Sequence, residues 1–536
     1  MNRINPTLTL LAVAMLSMLS TEVQCQIEKS IDLQSFSSLL YHIEELYVDS
    51  VDEQKLVQDA IVGMLEELDP HSTYIPKDEL KAMNEPLKGN FDGVGIQFNI
   101  LKDTIMVVSP ITGGPSEKVG ILAGDRIVEV DQENVAGIGV KNSDVQRLLK
   151  GPKGTKVGVG VVRRGVNGIL DFEITRDKIP IHSVASSYMA DPTTGYIKIS
   201  RFAATTIQEF RSSLAELRAQ GMKNLILDLQ GNGGGYLRTA IEIADEFLTD
   251  NQLIVFTEGR SFPRNETNAT ARGGFEQGKL AVLIDEGSAS ASEIVSGAIQ
   301  DWDRGVIIGR RSFGKGLVQK PVGLPDGSAV RLTTQKYFTP SGRCIQKPYE
   351  EGVEAYRKEK RERLESGELT DENSLMVNDS LQYFTKINKR KVYGGGGIIP
   401  DLFIPLDTTM ASDYYYEVVR KGIMNSYVLN YVNDNRKKLK NTYSTVPQFI
   451  EEFEMDEKWL SPFFQYAEKE GVEYVEEEYL IAKELFDTRM KALVARNIFD
   501  NHAFFEVINP ILPAYQKALE VMKDDTFERL NLAQNK

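Results

Sequence analysis

The sequence predicts a multidomain α+β protein, and three observations predict it: a length of 536 residues, a switch of apolar periodicity from helical to strand-like near residue 89, and an alternation of strand-like and helical runs beyond residue 178. A chain this long exceeds what one hydrophobic core fills, so roughly two to four domains are expected. The hydrophobic share of 41% and charged share of 26% are those of a globular protein. A net charge of -15, from 62 basic and 77 acidic residues, argues against a nucleic-acid partner. Affinity for a phosphate backbone comes from basic patches that release counterions.

Residues 1–25 have the three-part layout of a secretory signal: Arg3, an apolar stretch over 8–19, and a polar end at Val23-Gln24-Cys25. The apolar stretch is shorter than the roughly 20 residues a membrane span needs, so cleavage is expected rather than anchoring. Acylation at Cys25 is the rival reading, disfavoured because Gln24 is bulkier than the small residue such processing needs. With Cys25 removed, Cys344 is the only cysteine, and no disulfide framework is available.

Residues 26–88 read as a helical N-terminal region, from the spacing of Leu33, Phe36, Leu40 and Ile43 and then of Leu56, Ala60, Ile61 and Met64. Residues 89–177 alternate short apolar segments with glycine turns such as Thr112-Gly113-Gly114-Pro115, the texture of a small strand-rich domain. Residues 178–405 form the α/β core. It is interrupted near 349–393 by a charged insertion containing Arg357-Lys358-Glu359-Lys360-Arg361-Glu362, expected to be an exposed helix with a solvated face. Residues 406–536 read as an acidic, helical C-terminal region.

A hydrolase needs a nucleophile, a base, and donors for the charge that develops on the attacked carbonyl. Three core segments can supply them. Asp285-Glu286-Gly287-Ser288-Ala289-Ser290-Ala291-Ser292-Glu293 joins a strand-like run to a helical one, where a serine sits beside free helix-terminal amides. Ser290 with Glu293 equally fits a capping box. Phe313-Gly314-Lys315-Gly316-Leu317-Val318-Gln319 sets a lysine between glycines, a turn lysine unless burial lowers its pKa from about 10.4 towards 7. Gly309, Gly314 and Lys315 nearly match a phosphate loop, but Gly316 replaces its Ser or Thr and no helical run follows. Asp228-Leu229-Gln230-Gly231-Asn232-Gly233-Gly234-Gly235 leaves amides unobstructed, for an oxyanion hole or a nucleotide phosphate. The histidines, His42, His71, His182 and His502, form no triad or metal pattern and read as structural, and no cofactor or metal is expected.

Together and in this order the three segments resemble the C-terminal processing peptidases, or tail-specific proteases, an exported family of Ser-Lys serine proteases with an embedded PDZ domain. The resemblance extends over residues 33–405 and includes Leu68-Asp69-Pro70-His71-Ser72 and Lys336-Tyr337-Phe338-Thr339-Pro340-Ser341-Gly342-Arg343. It implies a ClpP/crotonase-like α/β core, with Ser290 as nucleophile, Lys315 as base and Gln319 positioning the lysine. The amides of Gly235 and Ala291 would form the oxyanion hole, with Gly234 replacing Gly235 if the glycine run is aligned one position off. It makes 89–177 a PDZ domain in which Gly93, Val94, Gly95 and Ile96 bind a terminal carboxylate while Ile96, Val145 and Leu149 line the side-chain pocket, predicting apolar tails. It further implies an exported, periplasmic or envelope-associated endopeptidase whose core shifts between resting and active arrangements on tail binding. The alternative is a non-catalytic binding protein of the same fold. Gln230 departs from the family, where arginine is common, and the helical ends are candidate surfaces for a homo-oligomer or an adaptor protein.

Overall fold

The computed structural model describes residues 32–375 and 377–532; the expected signal segment 1–25, with Cys25, lies outside the described residues. Near the N-terminus, helices Glu53–Glu66 and Glu79–Lys88 flank the short strand Thr73–Ile75. That strand pairs antiparallel with Ala329–Phe338, so the N-terminal region is sewn into a sheet of the core.

The strand-rich segment folds as a six-stranded sheet whose main path runs Ile96–Ile100, Ile105–Pro110, Arg126–Val130, Lys156–Val162, Leu170–Thr175. Helix Asn142–Leu149 closes over it, and Val94, Ile105, Val107, Ile127, Val145 and Val159 meet in its core. Ile96–Ile100 is the terminal strand of that path.

The α/β core is built on a sheet ordered Val184–Met189, Thr194–Ile199, Asn224–Asp228, Leu280–Ile284, Val306–Gly309, Leu402–Phe403, antiparallel at the first pair and parallel thereafter. Strand alternation sends Leu225, Leu227, Leu280, Val282 and Ile284 to one face, where they pack with residues of helices Thr206–Ala219, Leu237–Asp245 and Ala291–Asp301. Ile226, Ala281 and Leu283 point the other way. This second face is covered by the end of the chain: Ala514, Tyr515, Ala518, Val521 and Met522 of helix Pro513–Lys523 close over it. Central parallel strands need cover on both faces, and the C-terminal region provides one of the two layers. Its other helices, between Asp413–Arg420 and Asn501–Ile508, share a separate aromatic core around Phe449, Phe463 and Phe486.

A second sheet joins Leu317–Gly323 and Leu253–Gly259 to Ala329–Phe338. It carries the residues that follow Lys315.

Candidate active site

The fully buried strand Leu280–Ile284 delivers the chain into a turn that side chains hold against the glycine loop. Ser288 Oγ donates to Leu229 O at 2.9 Å and accepts from Asp285 N at 2.9 Å, while Ser292 Oγ donates to Asn232 O at 2.8 Å. Ser290, at the N-cap of helix Ala291–Asp301, has φ 56° and ψ -109°. A positive φ on a residue with a Cβ costs on the order of 1–3 kcal/mol and persists only where the surroundings impose it. Here Ser290 N–H donates to Glu293 Oε2 at 2.7 Å, and Tyr337 O–H donates to Ser290 O at 3.1 Å. Ser290 and Glu293 stand in the capping-box arrangement that their spacing suggested, with the Glu293 carboxylate as its firm half.

The glycine loop lies against this turn. Asn232, with no exposed surface, donates from Nδ2 to Ile199 O and accepts from Gly234 N–H at Oδ1, both at 2.9 Å. A Cβ on Gly234 would stand 2.9 Å from Ser290 Cβ, and one on Gly235 would stand 2.1 Å from Phe202 O. Neither position admits another residue without movement. The amide of Gly234 is taken by Asn232, whereas the amides of Gly235 and Ala291 have no hydrogen-bond partner among the described residues. Two amides without a partner thus lie beside Ser290, while that of Gly234 is engaged.

Lys315 lies between Gly314 and Gly316, and its Nζ donates to Gln319 Oε1 at 2.9 Å. Gln319 in turn donates from Nε2 to His71 O. Burial pushes the Lys315 pKa down and the Arg331 guanidinium adds to this, against smaller opposing effects of Asp69 and Glu293. Among the described residues no hydrogen bond joins Lys315 Nζ to Ser290 Oγ. The chain after Lys315 enters strand Leu317–Gly323 rather than a helix, so the architecture of a phosphate loop is absent there.

Two groups that the sequence left as structural also lie here. Glu293, fully buried, receives Ser290 N and Lys315 N at Oε2 and Ser312 Oγ and Gly314 N at Oε1, at 2.6–2.9 Å. Burial pushes its carboxyl pKa up against those donors. His71 packs edge-on to Phe313 and Tyr356, with Nε2 2.8 Å from the Tyr356 hydroxyl. Burial and the charge of Lys315 lower its pKa to about 4, so it is neutral at physiological pH. The Ser-x-x-Glu spacing was the available signal for Glu293; for His71 it was the Asp-Pro-His-Ser segment.

The charged insertion corrects an expectation. Helix Val353–Glu365 exists, but it is not merely a solvated face. Buried Arg363 donates to Arg311 O at 2.7 Å and Ser312 O at 3.2 Å, and both arginines reach Glu368 at 2.8 Å. Buried Lys347 pairs with Glu359 at 2.8 Å over the rings of Phe313 and Tyr356. One side of the charged helix therefore clamps the segment leading to Lys315, because its charges find partners there instead of water.

In the strand-rich domain, Gly93, Val94 and Gly95 are buried, Ile96 is half-buried, and Val145 and Leu149 lie in the domain core with Val94. Gly93, Val94 and Gly95 lead directly into terminal strand Ile96–Ile100, and the side chains of Val145 and Leu149 are closed to solvent.

Family comparisons bear on this arrangement. Residues 193–355 match the model of peptidase family S41, 106–163 that of a PDZ domain, 13–79 that of the activating protease CtpB N-terminal domain, and 414–500 a family of unknown function. The chain is 38% identical over 321 residues to a carboxy-terminal-processing protease of Bartonella bacilliformis, covering 59% of this chain and 72% of that one. It is 31% identical over 421 residues to the carboxy-terminal processing protease CtpB of Bacillus subtilis, covering 78% and 84%. The chain belongs to the carboxy-terminal processing protease family. Among solved structures, a photosystem II D1 C-terminal processing protease is 32% identical, with 57% of this chain and 82% of that one covered and a TM-score of 0.33. As a carboxy-terminal processing protease the chain is a serine-type peptidase with an embedded PDZ domain and helical N- and C-terminal regions. Among the described residues no helix is long and apolar enough to cross a membrane.

Proposed function

We propose that this carboxy-terminal processing protease is an endopeptidase with a Ser290/Lys315 dyad, acting on exported proteins whose C-terminal tails its PDZ domain recognises. Neutral Lys315 takes the proton of Ser290 as Oγ attacks a peptide carbonyl, and the oxyanion accepts from the amides of Gly235 and Ala291. The lysine returns its proton to the departing amine, and water hydrolyses the acyl-serine ester by the same base. Gln319 and Glu293 are positioning residues that hold the lysine side chain and the two reacting loops. The observation that carries this reading is a serine at positive φ beside two unpartnered amides, on a loop that buried Glu293 ties to that of a lysine whose pKa burial lowers.

The separate hydrogen bond from Lys315 to Gln319 supports a resting arrangement, since catalytic hydrogen bonds often tighten only with substrate. Tail binding to Ile96–Ile100 as an added strand, with the carboxylate on the loop of Gly93, Val94 and Gly95, would favour the working arrangement. The domain reading is 1–25 signal, 26–88 helical region, 89–177 PDZ domain, 178–405 protease core and 406–536 helical region, in an exported, periplasmic protein. Purified protein should cleave an unfolded substrate with an apolar tail, whereas Ser290→Ala and Lys315→Ala should not. Equal cleavage by all three rejects the dyad, and cleavage by none favours a binding protein.

A further inference from the structure

A cleft of about 2680 Å³ separates the PDZ domain from the protease core and is walled on its third side by the C-terminal helical region. Its charge contradicts that of the chain. Helix Ile423–Thr442 contributes Arg436, Lys437, Lys438 and Lys440 to the wall, the PDZ domain contributes Arg126, and the core contributes Arg201. None of these six forms an ion pair among the described residues, in a protein of net charge -15. Three other lining cations are paired: Arg163 with Asp125 and Arg164 with Asp434, both lining acids, and Lys198 with Asp228 behind the wall. Glu117, Glu216 and Asp500 pair with no cation and Glu209 only with His182, while Arg496 is a further lining cation outside any ion pair, so unpaired positive charge predominates. Such an excess between low-dielectric walls concentrates anions.

The cleft is also placed along a route. Its lining includes Ile96, Gln97, Phe98 and Asn99 of the terminal PDZ strand. It also includes Ser200 and Arg201 of the core, adjoining Phe202, whose backbone N–H and C=O bond Gly234 O and Tyr236 N. Burial lowers the pKa of Arg436, which has only the Asn497 carbonyl and Asn433 side chain as acceptors. An uncompensated guanidinium of this kind gains from an incoming carboxylate.

We propose that this cleft binds acidic segments of the polypeptide substrate between its tail and its scissile bond, and that the basic stretch of helix Ile423–Thr442 is the specificity element. A polypeptide is the occupant because the protein is a peptidase and the cleft joins the PDZ edge to the core. The inference rests on the proposed tail recognition, and its test is arranged so that either can fail separately.

Binding is measured on Ser290→Ala protein with two fluorescent unstructured peptides that share one apolar tail and differ in a Glu-rich or a Gln-rich upstream segment. The Glu-rich peptide should bind tighter by on the order of tenfold at low salt, with the advantage shrinking as salt rises. Combined Arg436→Gln, Lys437→Gln, Lys438→Gln and Lys440→Gln should bring the ratio close to one, and Arg126→Gln on the opposite wall should lower it with the helix untouched. Equal affinities, or a preference that both variants keep, would overturn the proposal. So would a single-stranded DNA oligonucleotide bound as tightly as the Glu-rich peptide, which would make the cleft a general polyanion surface. Loss of binding by both peptides when the tail is removed, with the acidic preference intact in their tailed forms, supports both readings; an acidic preference independent of the tail supports the cleft and rejects tail recognition.

Discussion

Ser290 and Lys315 donate their backbone N–H groups to the same oxygen, Oε2 of Glu293, at 2.7 and 2.9 Å. One buried carboxylate therefore fixes the spacing of the two loops that carry the proposed nucleophile and base. The other oxygen of Glu293 ties in Gly314 and Ser312, so movement of either loop breaks bonds in both.

Glu293→Gln replaces an acceptor oxygen by an N–H₂ facing backbone N–H groups that cannot accept, whichever way the amide turns. Leaving buried donors unpaired costs about 1–3 kcal/mol each. The variant should melt at lower temperature and lose kcat much more than it gains KM, as steady-state kinetics on a tailed substrate would show.

The pH profile follows from Lys315. Its folded pKa lies below the ordinary 10.5, so the folded protein releases this proton more readily than the unfolded chain. Activity should rise with pH as the amine becomes neutral. Between the lowered pKa and 10.5 the site's contribution to stability also rises with pH, and it is lost as pH falls through the lowered value. Lys315→Met should abolish cleavage and remove that slope from the pH dependence of chemical denaturation.

His71 gives a second, acid-side signature. With its pKa lowered from 6.5 to about 4, the neutral ring contributes stability above 6.5 that is lost as pH falls towards 4. His71→Gln should flatten the melting temperature between those limits. NMR titration of the ring should place its midpoint well below that of an exposed histidine.

Gly235→Ala would put a methyl group 2.1 Å from Phe202 O and displace an amide proposed to hold the oxyanion. A loss of at least about a hundredfold in kcat is expected. Binding of a tail peptide to the PDZ domain, measured by anisotropy, should be retained.

The C-terminal helix should matter for folding rather than chemistry. Ala518, with no exposed surface, faces the outer side of the core sheet, and Ala518→Asp would bury an unpaired carboxylate there. Soluble yield and melting temperature should both fall sharply.

The order of domains and the three chemical segments were legible because periodicity and glycine placement are local properties. Ser290, Lys315 and the glycine run stood at strand ends, where the sequence already separates small residues from apolar ones. The covering of the sheet by Pro513–Lys523 was not legible, since its partners Ile226, Ala281 and Leu283 lie more than two hundred residues away. The inward side of the charged helix was hidden for a related reason. Arg363 reads as solvated until Arg311, Ser312 and Glu368 are brought beside it. Glu293 was visible as a capping residue, but its role in joining two loops depends on Gly314 and Lys315 arriving from another strand.

The most direct measurement is mass spectrometry of protein quenched in acid during turnover of an activated ester or a tailed peptide. Acyl adduct on the peptide containing Ser290, absent in Ser290→Ala and strongly reduced in Lys315→Ala, is the expected result. Undiminished turnover by Ser290→Ala, or an adduct on a different side chain, would contradict it.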